Sequence, residues 1–245
     1  MGVLLMEFQP PLKRAILLRR YKRFLADIRL PTGEEITIHC PNTGSMRNCL
    51  AEGEACWYST SDNPKRKYPH SWELATTPEG DIACIHSARA NAVVVEAIEN
   101  GVLEPLQGYT ELHTEVRYGE ERSRIDILLT QAGGVDCYLE VKCVTLREDG
   151  AGCMNRGIFP DSPSERSRKH LRELMLVKKQ GQRAVLLFCV LHTGIKSVGP
   201  ADNIDPEYGA LLRQAQLQGV EILAYAAAVS PRGLRLMSPL PLVFE

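Results

Sequence analysis

The stretch Ser123-Arg124-Ile125-Asp126-Ile127-Leu128-Leu129, with its sequel Tyr138-Leu139-Glu140-Val141-Lys142, decides how the chain folds. Both runs set aliphatic and β-branched residues against charges, which is the pattern of strands. Between them Gln131-Ala132-Gly133-Gly134 is a turn signal, so the two runs predict a hairpin. A turn centred on Gly133 puts Asp126 directly opposite Glu140. The two-residue period of a strand then sets Lys142 beside Glu140 on the same face. A slip of one residue would scatter the three.

Two adjacent carboxylates repel unless a cation neutralises them. Hard oxygen ligands suit Mg²⁺ or Mn²⁺, which keep several waters and accept substrate phosphate. Lys142 would then orient or deprotonate a water, or steady charge building on a phosphate. The plain alternative is a Glu-Val-Lys triplet on a solvated face, where an exposed ion pair contributes little.

Composition bounds the rest. A chain of 245 residues makes one large or two modest domains, and 44% apolar with 24% charged residues is ordinary for a soluble globular protein. A net charge of −1 excludes a generally basic nucleic-acid coat, so any polyanion site must be a local patch. The eight cysteines form no C-x-x-C pair, which argues against zinc and for free thiols in a reducing cytosol. The opening apolar run is too short for a signal segment, and the longest one, 184–191, is too short to span a bilayer. The expectation is a cytoplasmic protein with no membrane contact.

Residues 12–86 read as short strands at 23–30, 35–40, 55–59, 71–76 and 81–85, separated by Gly, Pro and Asn turns. That predicts a small barrel of the OB type. It carries a basic cluster containing Lys13, Arg20, Lys22 and Arg23, and a second one, Lys65-Arg66-Lys67-Tyr68, near Trp57, Tyr58 and Trp72. Such basic and aromatic mixtures suit phosphate contact and base stacking. From Ser87 the order becomes helix, three strands, helix, strand, helix, strand, an α+β arrangement with a mixed sheet. The first helix, 87–100, offers Glu96 or Glu99 as a carboxylate, and periodicity does not choose between them. Ser162-Pro163-Ser164-Glu165 predicts a capped helix start, with Ser162 as N-cap. That helix carries Arg168, Lys169 and His170 near its N-terminus, where a phosphate would be favoured.

A helix acid, an Asp in a strand and Glu-x-Lys in its neighbour resemble the PD-(D/E)XK nuclease-like core. The chain more specifically resembles the bacterial sugar fermentation stimulation protein A family. The resemblance rests on Pro41-Asn42-Thr43-Gly44, the run from Asn91 to Glu96, Ser123-Arg124-Ile125-Asp126, Glu140-Val141-Lys142-Cys143-Val144-Thr145-Leu146, Phe159-Pro160-Asp161 and Lys169-His170-Leu171-Arg172-Glu173-Leu174. It implies an OB-like domain over 1–86 and a PD-(D/E)XK-like domain over 87–245. It favours Glu96 over Glu99, completing a site of Glu96, Asp126, Glu140 and Lys142 with the three acids as metal ligands. It also implies DNA binding of low sequence specificity, linked to sugar (maltose) metabolism. Two departures are a long loop at 150–157 and Ser167, where the family commonly has Gly.

Two functions follow as expectations. One is a DNA-binding protein, with single-stranded nucleic acid also possible, that grips phosphates through the basic clusters and Arg124. The other is a Mg²⁺- or Mn²⁺-dependent phosphodiesterase. A third reading, a helix-turn-helix regulator over 202–220, lacks a second helix in the pattern because 220–225 reads as strand. A nuclease-like fold serving only as a scaffold is the fourth.

Overall fold

The computed structural model describes residues 6–148, 150 and 155–244. The opening run 1–5, Cys153 and half of the long loop (151–154) lie outside the described residues.

The N-terminal barrel comprises β2 (Lys13–Tyr21), β3 (Leu25–Arg29), β4 (Glu35–His39), β5 (Ala55–Thr60), β6 (His70–Thr76) and β7 (Ile82–Cys84), after the short β1 (Met6–Glu7). Its strands run in the order β4-β3-β2-β5-β6-β7 and close through a parallel contact of His39 with Ser71. The first basic cluster, for which no strand was predicted before residue 23, lies mostly on β2, with Lys22 and Arg23 in the turn that follows it. In β2 Ala15 and Leu17 point inward, Ile16 and Leu18 are half-buried between and beyond them, and the charged residues Lys13, Arg14 and Arg19 are exposed at the two ends. Trp72 and Tyr58 are buried in the barrel core, and the Trp72 indole N–H donates to the Leu74 carbonyl. Neither ring is free to stack on a base.

The second domain contains α1 (Arg89–Glu99), β8 (Glu111–Tyr118), β9 (Ser123–Thr130), β10 (Cys137–Val144), β11 (Arg156–Phe159), α2 (Glu165–Lys179), β12 (Arg183–Val190), β13 (Ser197–Pro200), α3 (Pro206–Leu217), β14 (Glu221–Ser230) and β15 (Gly233–Pro239). A mixed seven-stranded sheet runs β1-β15-β14-β12-β10-β9-β8, and β11 pairs with β13 separately. The nearly continuous apolar run of β12 takes the centre, buried on both faces. Val185, Leu187 and Cys189 pack toward α1, while Ala184, Leu186, Phe188 and Val190 pack toward α2 and α3. The Val93-Val94 pair is tolerated in α1 because both side chains are fully buried against the sheet, so packing outweighs weak helix propensity.

Three expectations need correction. The N-cap of α2 is Ser164, whose hydroxyl accepts the Ser167 N–H, and not Ser162; Ser164 has the extended backbone a cap requires. The helix-turn-helix reading fails because α3 leads directly into β14, which pairs with β12 inside the sheet, leaving no recognition helix. The domain boundary is also not a simple cut at 86. β1 pairs with β15, and Phe8 joins the core of the second domain.

A buried carboxylate holds the barrel to the second domain. Glu73 on β6 is fully buried. It accepts from Arg89 Nε at 3.0 Å, Arg89 Nη2 at 2.7 Å and Ser59 Oγ at 2.7 Å, and meets His86 Nδ1 at 2.9 Å. Burial alone would raise its pKa, but the hydrogen bonds from His86 and Arg89 override that and hold it at about 2. A carboxylate depressed in the folded state stabilises above its unfolded pKa of about 4.3 and loses that contribution as the pH falls toward 2. Glu73→Gln should therefore cost about 3 kcal/mol at pH 7 in urea denaturation. Its stability should also fall less than the wild type's between pH 5 and pH 2. An equal acid sensitivity in both proteins would show that the Glu73 charge does not bind the domains.

Candidate active site

The hairpin register is the one the sequence predicts. Cys137 faces Leu129, Tyr138 faces Leu128 and Leu139 faces Ile127, which centres the turn on Gly133. The ladder ends there. One position on, the Asp126 carboxylate takes over and accepts the Val141 N–H through Oδ2 at 2.8 Å. Its other oxygen accepts from Asn91 Nδ2 at 2.9 Å, a side chain from the first turn of α1. The adjoining β8–β9 pairing skips Glu115 and Asp126, and Glu115 sits at φ 58. The register is the same on both sides of this break, Thr114 facing Ile127 and Val116 facing Ile125, and both acids line one cleft.

On β10, Glu140 is 2% exposed and Lys142 7%. Lys142 Nζ donates to Glu140 Oε1 at 2.7 Å, and His170 Nδ1 meets the same oxygen in a short contact. Lys142 Nζ and His170 Nδ1 are 3.1 Å apart. The second oxygen, Glu140 Oε2, is buried with no hydrogen-bond partner. Burial would raise the Glu140 pKa, yet the Lys142 charge and the His170 contact hold it below the usual range. Asp126 goes the other way, raised first by burial and then by the negative charge of Glu140. An unpaired buried carboxylate oxygen beside a repelled carboxylate is a donor set that fits a small divalent cation.

These residues line a cleft of about 470 Å³ whose floor is β9 and β10. One wall is the 41–44 loop of the barrel, and the other includes Asp161, Arg166 and His170. Arg20 does not face this cleft as a phosphate ligand. Its guanidinium donates to the carbonyls of Arg23, Asn42, Gly44 and Ser45, and so holds the wall in place. Cys143 also lines the cleft, but burial pushes its thiol well above the ordinary range, so it is no nucleophile. The seven described cysteines are free.

Glu96 is the main departure. It lies five residues beyond Asn91, roughly 7.5 Å along the helix and on a different face. There the Met6 backbone and the Arg235 charge are its neighbours, at the β1–β15 side of the sheet. Asn91 stands where the helix acid was expected. Among the described residues, no group of three His, Cys, Asp or Glu side chains gathers to hold a metal.

The predicted basic residues divide into three groups. Lys13, Lys22, Arg23, Lys65, Arg66 and Lys67 are exposed. Arg168 is held by Asp205 at 3.0 Å, Glu165 at 3.0 Å and Glu207 at 2.9 Å, and Lys169 donates to the Glu121 carbonyl. Arg124 pairs with Glu115 at 3.4 Å, and His170 is part of the Glu140 cluster. Arg166 reaches the cleft instead of Arg168, a choice of helix face that the charge pattern alone did not settle.

Comparison with known proteins agrees with this architecture. The sugar fermentation stimulation protein RE domain matches residues 88–233, and the SfsA N-terminal OB domain matches 18–85. The chain belongs to the SfsA family. A sugar fermentation stimulation protein homologue of Shewanella baltica (strain OS185) is 59% identical over 231 residues, 94% of this chain and 97% of its own. Another, from Shewanella sp. (strain MR-7), is 58% identical over 96% of this chain and 99% of its own. A solved structure of Pyrococcus furiosus SfsA in complex with Ca²⁺ matches with a TM-score of 0.85 and 26% identity, covering 99% of this chain and all of that one.

The raised pKa of Asp126 means that its charged form destabilises the cation-free protein above the unfolded pKa. Asp126→Asn should therefore raise the melting temperature in EDTA at pH 7. The same variant should lose the further rise that added Mg²⁺ or Ca²⁺ gives the wild type. A lower melting temperature in EDTA would mean that Asp126 is held for its hydrogen bonds alone.

Proposed function

We propose that the protein binds nucleic acid and hydrolyses its phosphodiester backbone with the help of a divalent cation held by Asp126 and Glu140. One observation carries this reading: Glu140 lines an open cleft with one carboxylate oxygen neutralised and the other buried without a partner. Magnesium sites of two carboxylates completed by waters and substrate phosphate are common, so the missing third acid does not exclude one. The Ca²⁺ complex of the Pyrococcus furiosus relative supports a hard, oxygen-preferring ligand. When bound, the cation would polarise a phosphoryl oxygen as a Lewis acid.

The chain's own residues do the positioning. Asn91 and the Val141 N–H fix the plane of the Asp126 carboxylate, which lines the cleft and keeps further acceptor capacity on each oxygen. His170 and Lys142 fix Glu140 in turn. Lys142 brings positive charge to the floor, where it would stabilise negative charge developing on the phosphate. Arg166, at the exposed start of α2, meets an incoming backbone phosphate at the rim.

The test incubates purified protein with plasmid and single-stranded DNA in Mg²⁺ or Mn²⁺, beside Glu140→Ala and Lys142→Ala. Cleavage should need the cation and fall at least about 100-fold in both variants. Mobility shift without cleavage in all three proteins would leave a nucleic-acid-binding protein built on a nuclease-like fold.

A further inference from the structure

Across the break in the ladder at Glu115 the β8–β9 hairpin turns its faces over: Leu112 and Ile127 pack toward α1, Val116 and Ile125 toward α2. Val116, Tyr118 and Ile125 pack into the core against α2, so Arg117 and Arg124 stand on the opposite face. They are direct cross-strand partners, an arrangement in which like charges repel. Arg122 joins them from the turn in a left-handed conformation, φ 55. The three line an open concavity of about 800 Å³. Arg124 has Glu115 as an acidic neighbour; Arg117 and Arg122 make no ion pair among the described residues. Of the other nearby acids, Glu121 is neutralised by Arg172 at 3.0 and 3.1 Å, and Glu120 is exposed.

The turn is held rigidly. The fully buried carboxylate of Glu173 on α2 accepts the N–H groups of Glu120 and Glu121. A Cβ on Gly119, at φ +74, would fall 2.1 Å from that carboxylate. Glu115 lines the cation cleft and also pairs with Arg124, so the arginine face begins where the cleft ends.

We propose that this hairpin is a phosphate clamp: Arg117, Arg122 and Arg124 grip the backbone of the nucleic-acid strand whose neighbouring phosphate reaches Asp126 and Glu140. The proposal rests on the cleft being a nucleic-acid site and adds the direction in which the strand leaves it. Guanidinium forks suit phosphate bidentately, and a rigid hairpin loses little freedom on binding. The partner is recognised by its phosphates, without reading bases.

The experiment measures fluorescence anisotropy of a short labelled oligonucleotide, single-stranded and duplex, against full-length protein in Ca²⁺ over a series of salt concentrations. Arg117→Ala/Arg122→Ala should weaken binding roughly tenfold or more at low salt and lower the log–log salt slope by about 2; Arg122→Ala alone should lower it by about 1. Arg117→Lys/Arg122→Lys should restore the slope, because charge sets it. Affinity and slope unchanged in the alanine variants, with wild-type melting behaviour, would overturn the clamp, as would a wild type that binds neither oligonucleotide. Cleavage does not enter the readout. Failure of the hydrolytic reading therefore leaves a positive slope result standing, and failure of the clamp leaves the chemistry of the cleft untouched.

Discussion

Everything at the candidate site depends on one hydrogen bond, from the Val141 N–H to the Asp126 carboxylate. Where the β9–β10 ladder stops, the backbone group that would have paired strand to strand is taken by a side chain. That substitution satisfies a buried donor and lets the strands part. It also fixes an acid at the mouth of the opening, next to Glu140, at the cost of like-charge repulsion. The repulsion appears in the opposite pKa directions of the two acids: Asp126 is raised, and Glu140 is lowered by its lysine and histidine partners.

Natural folds avoid such arrangements in ordinary cores, where a buried polar atom without a partner costs about 1–3 kcal/mol. Here Glu140 Oε2 is kept in that state. The neighbouring structure is correspondingly over-determined. Arg20 ties the barrel loop, Glu73 ties the barrel to α1, and Glu173 ties the hairpin turn to α2. Each is a charged group with more than one fixed partner, half-buried for Arg20 and fully buried for Glu73 and Glu173, which confers rigidity more than net stability.

How much of this was legible in the sequence depended on the range of the interactions. The hairpin, its register and the Asp126–Glu140–Lys142 grouping follow from a period of two and one glycine turn, all within twenty residues. Five of the six barrel strands were likewise local; β2, with its charged ends, was not read as a strand. Glu96 was not legible, because its helical phase relative to Asp126 is set by how α1 packs on the sheet and by the distant β15. The same holds for Arg20 and Arg168, which looked like free cations and are held by carbonyls and acids from other elements. The strands β11, β13 and β15 also went unread, since the first two are four residues long and lack strong alternation. Asn91 opened one of the runs that carry the resemblance but gave no chemical signal of its own: an amide on a helix is common, and only its distance to Asp126 marks it.

The 41–44 loop belongs to the barrel by chain order and to the cleft by position. Neither half of the protein therefore owns the site. Grafting a different barrel onto the same sheet would replace a wall of the reaction chamber along with the handle that carries it. A shift of the barrel against the sheet would accordingly reshape the chamber as well as the junction.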